Sequence, residues 1–231
     1  MRYRLLALDL DGTLLRRDGC VDDRDIAAIA ELQAAGVTVT IVTGRLHSGA
    51  TGAARACAIE GAIACVEGSH LIEIASGRTL VHHGMSDDMA AVVRRAIVDH
   101  RLTSFVFDAT GIHHEHAVAA AHDAVRPHAD RIFSVSFPIH AEPGKHALMV
   151  RAAGPTKGTA LAELCQRAGC SLAEAVAVGD WVNDVPMFEV AGRSFAMGTA
   201  PDIVSSKATD LLSHTAEAGG GIAEAIRRAW G

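Results

Sequence analysis

Short apolar runs that stop on polar residues recur along the chain and predict a parallel β-sheet. Residues 5–8 are apolar without alternation, which is typical of a strand covered on both faces. Similar runs follow at 37–42, 62–66, 175–178 and 194–198. Apolar residues at helical spacing lie between several of these runs, and alternating strands and helices build parallel sheets with right-handed crossovers. We therefore predict an α/β fold with a doubly wound, Rossmann-like core.

The chain between residues 83 and 152 has a different pattern. Ser86 is a candidate N-cap of one helix, and an alanine-rich helix is predicted to break near Pro127. Strand and turn signals occur at 104–107, 112–116, 132–137 and 147–150. Hairpins beside single helices favour a small α+β module with an antiparallel sheet. We predict a core domain of residues 1–82 and 153–231, with an inserted α+β cap domain at 83–152.

Composition restricts the classes of function. With 231 residues, of which 49% are hydrophobic, the chain can bury a full core. Its net charge of −6 argues against a nucleic-acid partner. No apolar stretch reaches the roughly 18 residues of a membrane span, and Asp9 interrupts the first apolar run, which excludes a signal peptide there. We expect a cytoplasmic protein without a membrane partner, as a monomer or homodimer.

The five cysteines form no C-x-x-C pair. An odd number of cysteines without metal-ligand spacing favours reduced, mostly buried thiols over a disulfide framework or a zinc site. The run His113-His114-Glu115-His116 looks like a metal cluster, but strand geometry sends alternate side chains to opposite faces. We therefore expect a solvated or substrate-facing hairpin there.

Four polar clusters at strand ends and at one helix start have complementary chemistry. Asp9 and Asp11 follow the first strand and can serve as a nucleophile and an acid/base, and Thr43 offers a hydroxyl. Lys157 offers a positive charge, while Asp180 and Asp184 add carboxylates. Oxygen ligands without His or Cys suit Mg²⁺. A transferring phosphoryl group carries negative charge that Mg²⁺, lysine and backbone donors stabilise, so the set predicts phosphoryl transfer.

These clusters resemble the haloacid dehalogenase superfamily of phosphohydrolases, in its Cof-type branch with a compact type-2 cap. The resemblance rests on four motifs in the family's order, Asp9-Leu10-Asp11-Gly12-Thr13, Val42-Thr43-Gly44-Arg45, Lys157-Gly158 and Gly179-Asp180 with Asn183-Asp184. The predicted insertion lies between the second and third motifs, where the family places its larger cap.

The resemblance implies a role for each motif residue. Asp9 would attack phosphorus to form an aspartyl-phosphate, and Asp11 would protonate the leaving oxygen and then activate water. Asp9, the Asp11 carbonyl and Asp180 would hold Mg²⁺. Asp184 would support the metal or the lysine from outside. Thr43, Gly44, Lys157 and Asn183 would hold the substrate phosphate.

Two short segments depart from the branch's usual pattern. Glu67-Gly68-Ser69 stands where Asn-Gly-Ala is common, and Thr199 stands where Asn is frequent. We expect both departures to concern substrate contacts and to leave the phosphoryl-transfer residues untouched. Arg45 is expected to brace its loop through an ion pair, and Trp181 to pack against the cap or the site entrance.

Three functions fit these residues. The first is a Mg²⁺-dependent phosphatase that hydrolyses a small phosphorylated metabolite, such as a sugar phosphate or phosphoglycolate. The second is a phosphotransferase or mutase that uses the same aspartyl-phosphate, which requires a cap that excludes water. The third is a catalytically silent sensor that binds a phosphate ester, against which the intact acidic and lysine residues argue.

Overall fold

The computed structural model describes residues 2–99, 103–107, 112–116, 126–138 and 146–231. The chain divides into two compact units, one formed by Met1–Val81 with Thr156–Gly231 and the other by His82–Pro155. All eight predicted site residues belong to the first unit.

Strands and helices alternate along the first unit, whose two segments precede and follow the second unit in the sequence. The elements are β1 (Leu5–Leu8), α1 (Asp23–Ala34), β2 (Thr38–Ile41), α2 (His47–Ala56), β3 (Ala62–Cys65), β4 (His70–Glu73), β5 (Arg78–His82), α3 (Asp87–Asp99), β6 (Thr103–Phe107), β7 (Ile112–His116), β8 (Ile132–Pro138), β9 (His146–Ala152), α4 (Lys157–Ala168), β10 (Ala175–Gly179), α5 (Val185–Val190), β11 (Arg193–Ala196), α6 (Asp202–Ser205), β12 (Asp210–Leu211) and α7 (Gly221–Trp230). Short 3₁₀ turns at Val66–Gly68 and Val182–Asp184 lie in the candidate site.

The central sheet is parallel and has the order β12-β11-β10-β1-β2. Leu5 of β1 pairs with Ala175 on one side and with Thr38 on the other, so β1 lies inside the sheet. The strand β3 joins the far side through a single parallel bridge between Val42 and Ala64, and it continues into a second sheet with β4 and β5. The predicted parallel core is confirmed.

Helices cover both faces of this sheet because side chains alternate along β1. Leu6 and Leu8 pack into one apolar core with residues of α1, α2 and α7. Leu5 and Ala7 pack into the other core with residues of α4 and α5. Two buried faces explain why this strand is apolar throughout. The predicted doubly wound arrangement is confirmed.

Helix starts follow from capping side chains. Asp22 precedes α1 and accepts a hydrogen bond from the backbone N–H of Arg24 at 3.1 Å. Thr156 precedes α4 and exchanges hydrogen bonds with Thr159, whose backbone N–H lies 3.2 Å from the Thr156 hydroxyl. Both side chains therefore act as N-caps. The Thr156 cap fixes where Lys157 begins the helix.

The second unit contains α3 and two antiparallel pairs, β6 with β7 and β8 with β9. The predicted strands are therefore present. The alanine-rich helix before Pro127 and the side chains of His113, His114, Glu115 and His116 lie outside the described parts of the chain. The bounds 83–152 and the role of this unit as a cap stay predictions.

All five cysteines are free, and Cys57, Cys65 and Cys165 are buried, which confirms the expected thiols. Burial raises the pKa of Cys65 to about 12, so this thiol stays protonated and unreactive at neutral pH. Within the residues that the structure describes, no helix combines the length and the apolar character needed to cross a membrane.

Glu224 ties α7 to the loop that follows β12. Its carboxylate accepts hydrogen bonds from the backbone N–H of Ser213 at 3.0 Å and from the Ser213 hydroxyl at 2.8 Å. The ring Nδ1 of His214 lies 2.7 Å away. Burial by itself raises the pKa of Glu224, but these donors outweigh it and lower the pKa to about 2.

We expect Glu224→Gln to destabilise the fold at pH 7 by about 1–3 kcal/mol, because it removes a charged acceptor of several hydrogen bonds. A carboxyl whose folded pKa is depressed stabilises fully above its unfolded value, here 4.5, and less as pH falls toward 2. Urea unfolding should therefore show the difference from wild type shrinking between pH 5 and pH 3. The exposed Glu189→Gln is the matched control, and an unchanged difference at pH 3 would contradict the assignment.

Candidate active site

The predicted site residues meet at the carboxyl end of the parallel sheet. Asp9 follows β1, Thr43 follows β2, and Asp180 and Asp184 follow β10. Lys157 is the first residue of α4. Because neighbouring parallel strands end at one edge, residues far apart in the chain converge there.

The ammonium group of Lys157 joins two of these segments. Its Nζ donates to Oδ1 of Asp9 at 2.5 Å and to Oδ1 of Asp184 at 2.6 Å, and the lysine side chain is fully buried. Burial by itself lowers the pKa of Lys157, but the carboxylates of Asp9, Asp184 and Glu67 outweigh it and raise the pKa above its ordinary value. The lysine is therefore charged.

Three carboxylates form a cluster suited to a metal ion. Asp9, Asp180 and Asp184 each offer an oxygen, and these oxygens lie within 4.8 Å of one another. Burial, with the charge of Asp184, raises the pKa of Asp180 to about 6. Burial also raises the pKa of Asp9 well above its ordinary value, although Lys157 opposes the rise. One lysine does not neutralise this set, and the all-oxygen donors fit Mg²⁺.

Asp184 also shapes the turn after β10. Its second oxygen accepts hydrogen bonds from the backbone N–H groups of Asp180 at 2.8 Å and Trp181 at 2.9 Å. A Cβ at Gly179 would collide with this carboxylate, which explains the glycine. Because Asp184 binds Lys157 and two backbone groups, it holds both the lysine and Asp180 in place.

The side chain of Asp11 lies apart from the metal-ligand cluster. Its carboxylate is exposed and accepts two hydrogen bonds from Arg45, at 2.8 Å from Nε and 2.6 Å from Nη2. Arg45 also donates to the Gly49 carbonyl at 3.2 Å. The expected ion pair of Arg45 is therefore present, and its partner is Asp11.

The loop after β2 is closely packed. Thr43 is buried, its N–H donates to the Ala64 carbonyl at 2.9 Å, and its hydroxyl accepts from the Arg45 N–H at 3.1 Å. A Cβ at Gly44 would collide with the carboxylate of Glu67. Glycine leaves room here for the Glu67 carboxylate and keeps the backbone of this loop accessible for close approach of a ligand.

Two features of the structure require a glycine at position 12. Its φ of +77° lies in the left-handed region, and a Cβ there would collide with the carboxylate of Asp180. Thr13 follows, and its hydroxyl donates to Oδ1 of Asp180 at 3.3 Å. The glycine and the hydroxyl in the first motif therefore both serve to place Asp180.

Glu67 is the site residue that sequence reasoning missed. It is buried, and its Oε1 accepts a hydrogen bond from Nδ2 of Asn183 at 2.9 Å. Its charge also acts on Lys157. The expectation that Glu67-Gly68-Ser69 leaves the phosphoryl-transfer residues untouched is therefore wrong, because this loop folds back against them. The departure from the branch's pattern at this position was the only sequence signal.

The side-chain amide of Asn183 has one polar atom that the described residues leave unpaired. Its Oδ1 is buried and has no hydrogen-bond partner among the described residues. A buried acceptor without a donor costs about 1–3 kcal/mol. Such unpaired buried groups are uncommon in folded proteins, and this one belongs to a residue of the predicted site.

A pocket of about 360 Å³ lies in the first unit, next to the first, second and fourth motifs. Its lining includes Asp11, Arg45, Asp180, Trp181 and Thr199. Trp181 is 56% exposed, although tryptophan is usually buried, so its indole forms part of the pocket's rim. The expected position of Trp181 at the site entrance agrees with this lining.

Comparisons with known proteins identify the same architecture. The profile of a family of haloacid dehalogenase-like hydrolases matches residues 6–140 and 128–226. A 5-amino-6-(5-phospho-D-ribitylamino)uracil phosphatase of Bacillus subtilis is 28% identical and covers 97% of this chain and 94% of its own. A phosphoglycolate phosphatase of Halobacterium salinarum is 28% identical over 91% of each chain. A haloacid dehalogenase-like hydrolase of Bacteroides thetaiotaomicron has a TM-score of 0.80 at 21% identity, covering 99% of this chain and 100% of its own.

We expect Lys157→Met to destabilise the protein by about 3–5 kcal/mol, because it leaves the buried carboxylates of Asp9 and Asp184 without their cation. Urea unfolding at pH 7 in the absence of divalent metal measures the loss. Lys207→Met, at an exposed lysine, is the matched control and should change stability by less than about 0.5 kcal/mol. A loss below 1 kcal/mol at Lys157 would show that the two ion pairs contribute little.

Proposed function

The chain belongs to the haloacid dehalogenase-like hydrolases, and we propose that it is a Mg²⁺-dependent phosphatase for a small phosphorylated metabolite. The single observation that carries the proposal is the buried Lys157 between Asp9 and Asp184, with Asp180 beside them. This arrangement offers a carboxylate nucleophile, a fixed cation and ligands for a second cation. It is suited to binding and transferring a phosphoryl group.

Asp9 acts as the nucleophile in the proposed mechanism. One of its carboxylate oxygens attacks phosphorus, the bond from phosphorus to the ester oxygen breaks, and an aspartyl-phosphate forms. Lys157 binds one oxygen of Asp9, which orients the carboxylate for the attack. The turn that follows β1 places this residue at the sheet edge, where substrates of open α/β folds bind.

Asp11 acts as the general acid and then the general base. In its protonated form it gives that proton to the leaving ester oxygen and becomes a carboxylate, and in the second step this carboxylate takes a proton from the water that attacks the aspartyl-phosphate, which restores the protonated form. Phosphate leaves and Asp9 is regenerated. The exposure of Asp11 on the pocket wall supports this role, because its carboxyl is accessible to the leaving group. Arg45 forms a bidentate pair with this carboxyl group.

Mg²⁺ would be held by Asp9, the main-chain carbonyl of Asp11 and Asp180, and it supplies positive charge against the phosphoryl oxygens. Asp184 keeps Lys157 and the turn at Asp180 in register from behind the ligands. The pKa of Asp180, which burial and then the charge of Asp184 raise to about 6, supports a cation there.

The substrate phosphate would be held by Thr43, Gly44, Lys157 and Asn183, which offer a hydroxyl, backbone N–H, an ammonium and a side-chain amide. Such donors match the three oxygens of a phosphate. The relatives act on a phosphorylated ribitylamino-uracil and on phosphoglycolate, according to their names. We propose a substrate of this size, a sugar phosphate or a phosphoglycolate-like ester, with residues 83–152 as the cap that determines specificity.

Asp9→Asn should lower turnover at least about 1,000-fold while the protein stays folded, because the amide keeps the size of the side chain and lacks its nucleophilicity. Phosphate release from p-nitrophenyl phosphate measures the activity, and circular dichroism checks the fold. Asp23→Asn, at an exposed aspartate of α1, is the control. Wild-type activity in Asp9→Asn would end the covalent mechanism. Steady phosphate release by wild type would separate a hydrolase from a phosphotransferase.

Removal of divalent metal with EDTA should abolish phosphate release, and Mg²⁺ should restore it, because the site offers only oxygen ligands. The assay adds one metal at a time to the stripped protein. Zinc restoring more activity than magnesium would contradict the assignment.

A further inference from the structure

We propose that Glu67 is a positioning residue of the phosphate site, which fixes the orientation of the Asn183 side-chain amide. The inference rests on the proposed function, since it concerns how that site holds its phosphate. It adds a residue that none of the four motifs contains. Three independent features of the structure carry it.

The first feature is the hydrogen bond between the two side chains. Nδ2 of Asn183 lies 2.9 Å from Oε1 of Glu67. A carboxylate can only accept, so the nitrogen of the carboxamide must face Glu67 and the oxygen must face away. Without Glu67, the amide could turn by 180° and exchange its donor and acceptor. The amide nitrogen carries two N–H groups, so one can donate to Glu67 while the second is left for a phosphate oxygen. Glu67 therefore keeps the donor side of Asn183, and not its oxygen, in the orientation that a phosphate needs.

The second feature is the strained backbone that brings Glu67 to the site. Val66, Glu67 and Gly68 have consecutive φ values of 50°, 56° and 93°. A positive φ is unfavourable for a glutamate and more so for a β-branched valine, and such strain persists where the surroundings enforce it. Here the N–H of Glu67 donates to the Thr43 carbonyl and the N–H of Val66 donates to the Arg45 carbonyl, each at 3.0 Å. The turn is therefore attached to the phosphate-binding loop.

The third feature is charge. Glu67 is 6% exposed and adds a carboxylate to a region that already holds Asp9, Asp180 and Asp184. A carboxylate beside a phosphate dianion repels it, so Glu67 does not serve as a phosphate ligand. Glu67 instead accepts a hydrogen bond from Asn183, whose amide the phosphate also needs, and this contact orients the amide. The positioning role thus accounts for a negative group at this place.

The test separates orientation from charge by comparing two variants that both lack the carboxylate. Glu67→Gln keeps an oxygen that accepts from Asn183, whereas Glu67→Gly removes the side chain and suits the positive φ of the backbone. We expect kcat/KM for p-nitrophenyl phosphate to be about 10- to 50-fold lower in Glu67→Gly than in Glu67→Gln. Thermal unfolding confirms that both variants are folded.

The two Glu67 variants are then compared again in proteins that also carry Asn183→Ala. If Glu67 acts through Asn183, the ratio between the two Glu67 variants should fall to within about twofold when the amide is absent. A ratio that stays at tenfold, or equal activity of the two variants with Asn183 present, would overturn the proposal.

Failure of the proposed function can be told apart from failure of this inference. Should wild type release no phosphate, wild type and the two single Glu67 variants are titrated with inorganic phosphate by calorimetry, and binding should be at least fivefold weaker in Glu67→Gly than in Glu67→Gln. Equal binding in those two variants overturns the positioning role alone. Absence of phosphate binding in wild type overturns the phosphate site and the inference with it.

Discussion

The buried ammonium of Lys157 is the contact on which the first unit's site depends. A lysine at the first position of a helix is unfavourable, because the helix dipole is positive there. Two carboxylates within 2.6 Å offset this cost, one following β1 and the other following β10. Since each partner belongs to a different segment, the pair of contacts links α4 to both strands. Gly158 allows the start of α4 to lie close to α5, because a Cβ at this position would collide with the Pro186 carbonyl at the start of α5.

A surplus of negative charge surrounds this lysine. Asp9, Asp180, Asp184 and Glu67 gather near one ammonium group, and burial, with the charge of Asp184, raises the pKa of Asp180. The single lysine does not balance these charges, so the fold must also hold the carboxylates together. Backbone hydrogen bonds to Asp184 and the fit of carboxylates against glycines keep the acids close. The same closeness would favour binding of a divalent cation, because the protein has already brought the ligands together.

The sequence predicts the positions of these groups better than their contacts. Apolar runs locate β1 and β10 and a run rich in β-branched residues locates β2, because each signal is local. Asp9, Thr43 and Asp180 could be placed at one edge since parallel strands end together. The contact of Glu67 with Asn183 could not be foreseen, because it requires positive φ at Val66, where valine rarely adopts it. The two-residue strand β12 was also missed, since it is too short to show a periodic pattern.

The two apolar cores also fix the register of β1 in the sheet. Leu6 and Leu8 face one layer of helices while Leu5 and Ala7 face the other, and the register to β2 and β10 follows from both. A shift of one residue would turn every side chain to the opposite layer and carry Asp9 out of reach of its lysine. Exchanges among apolar residues in this strand leave that alignment intact, whereas loss or gain of one residue does not. The length of β1 is therefore constrained more strictly than its composition, and the chemistry at its end is aligned by packing on both sides of the sheet.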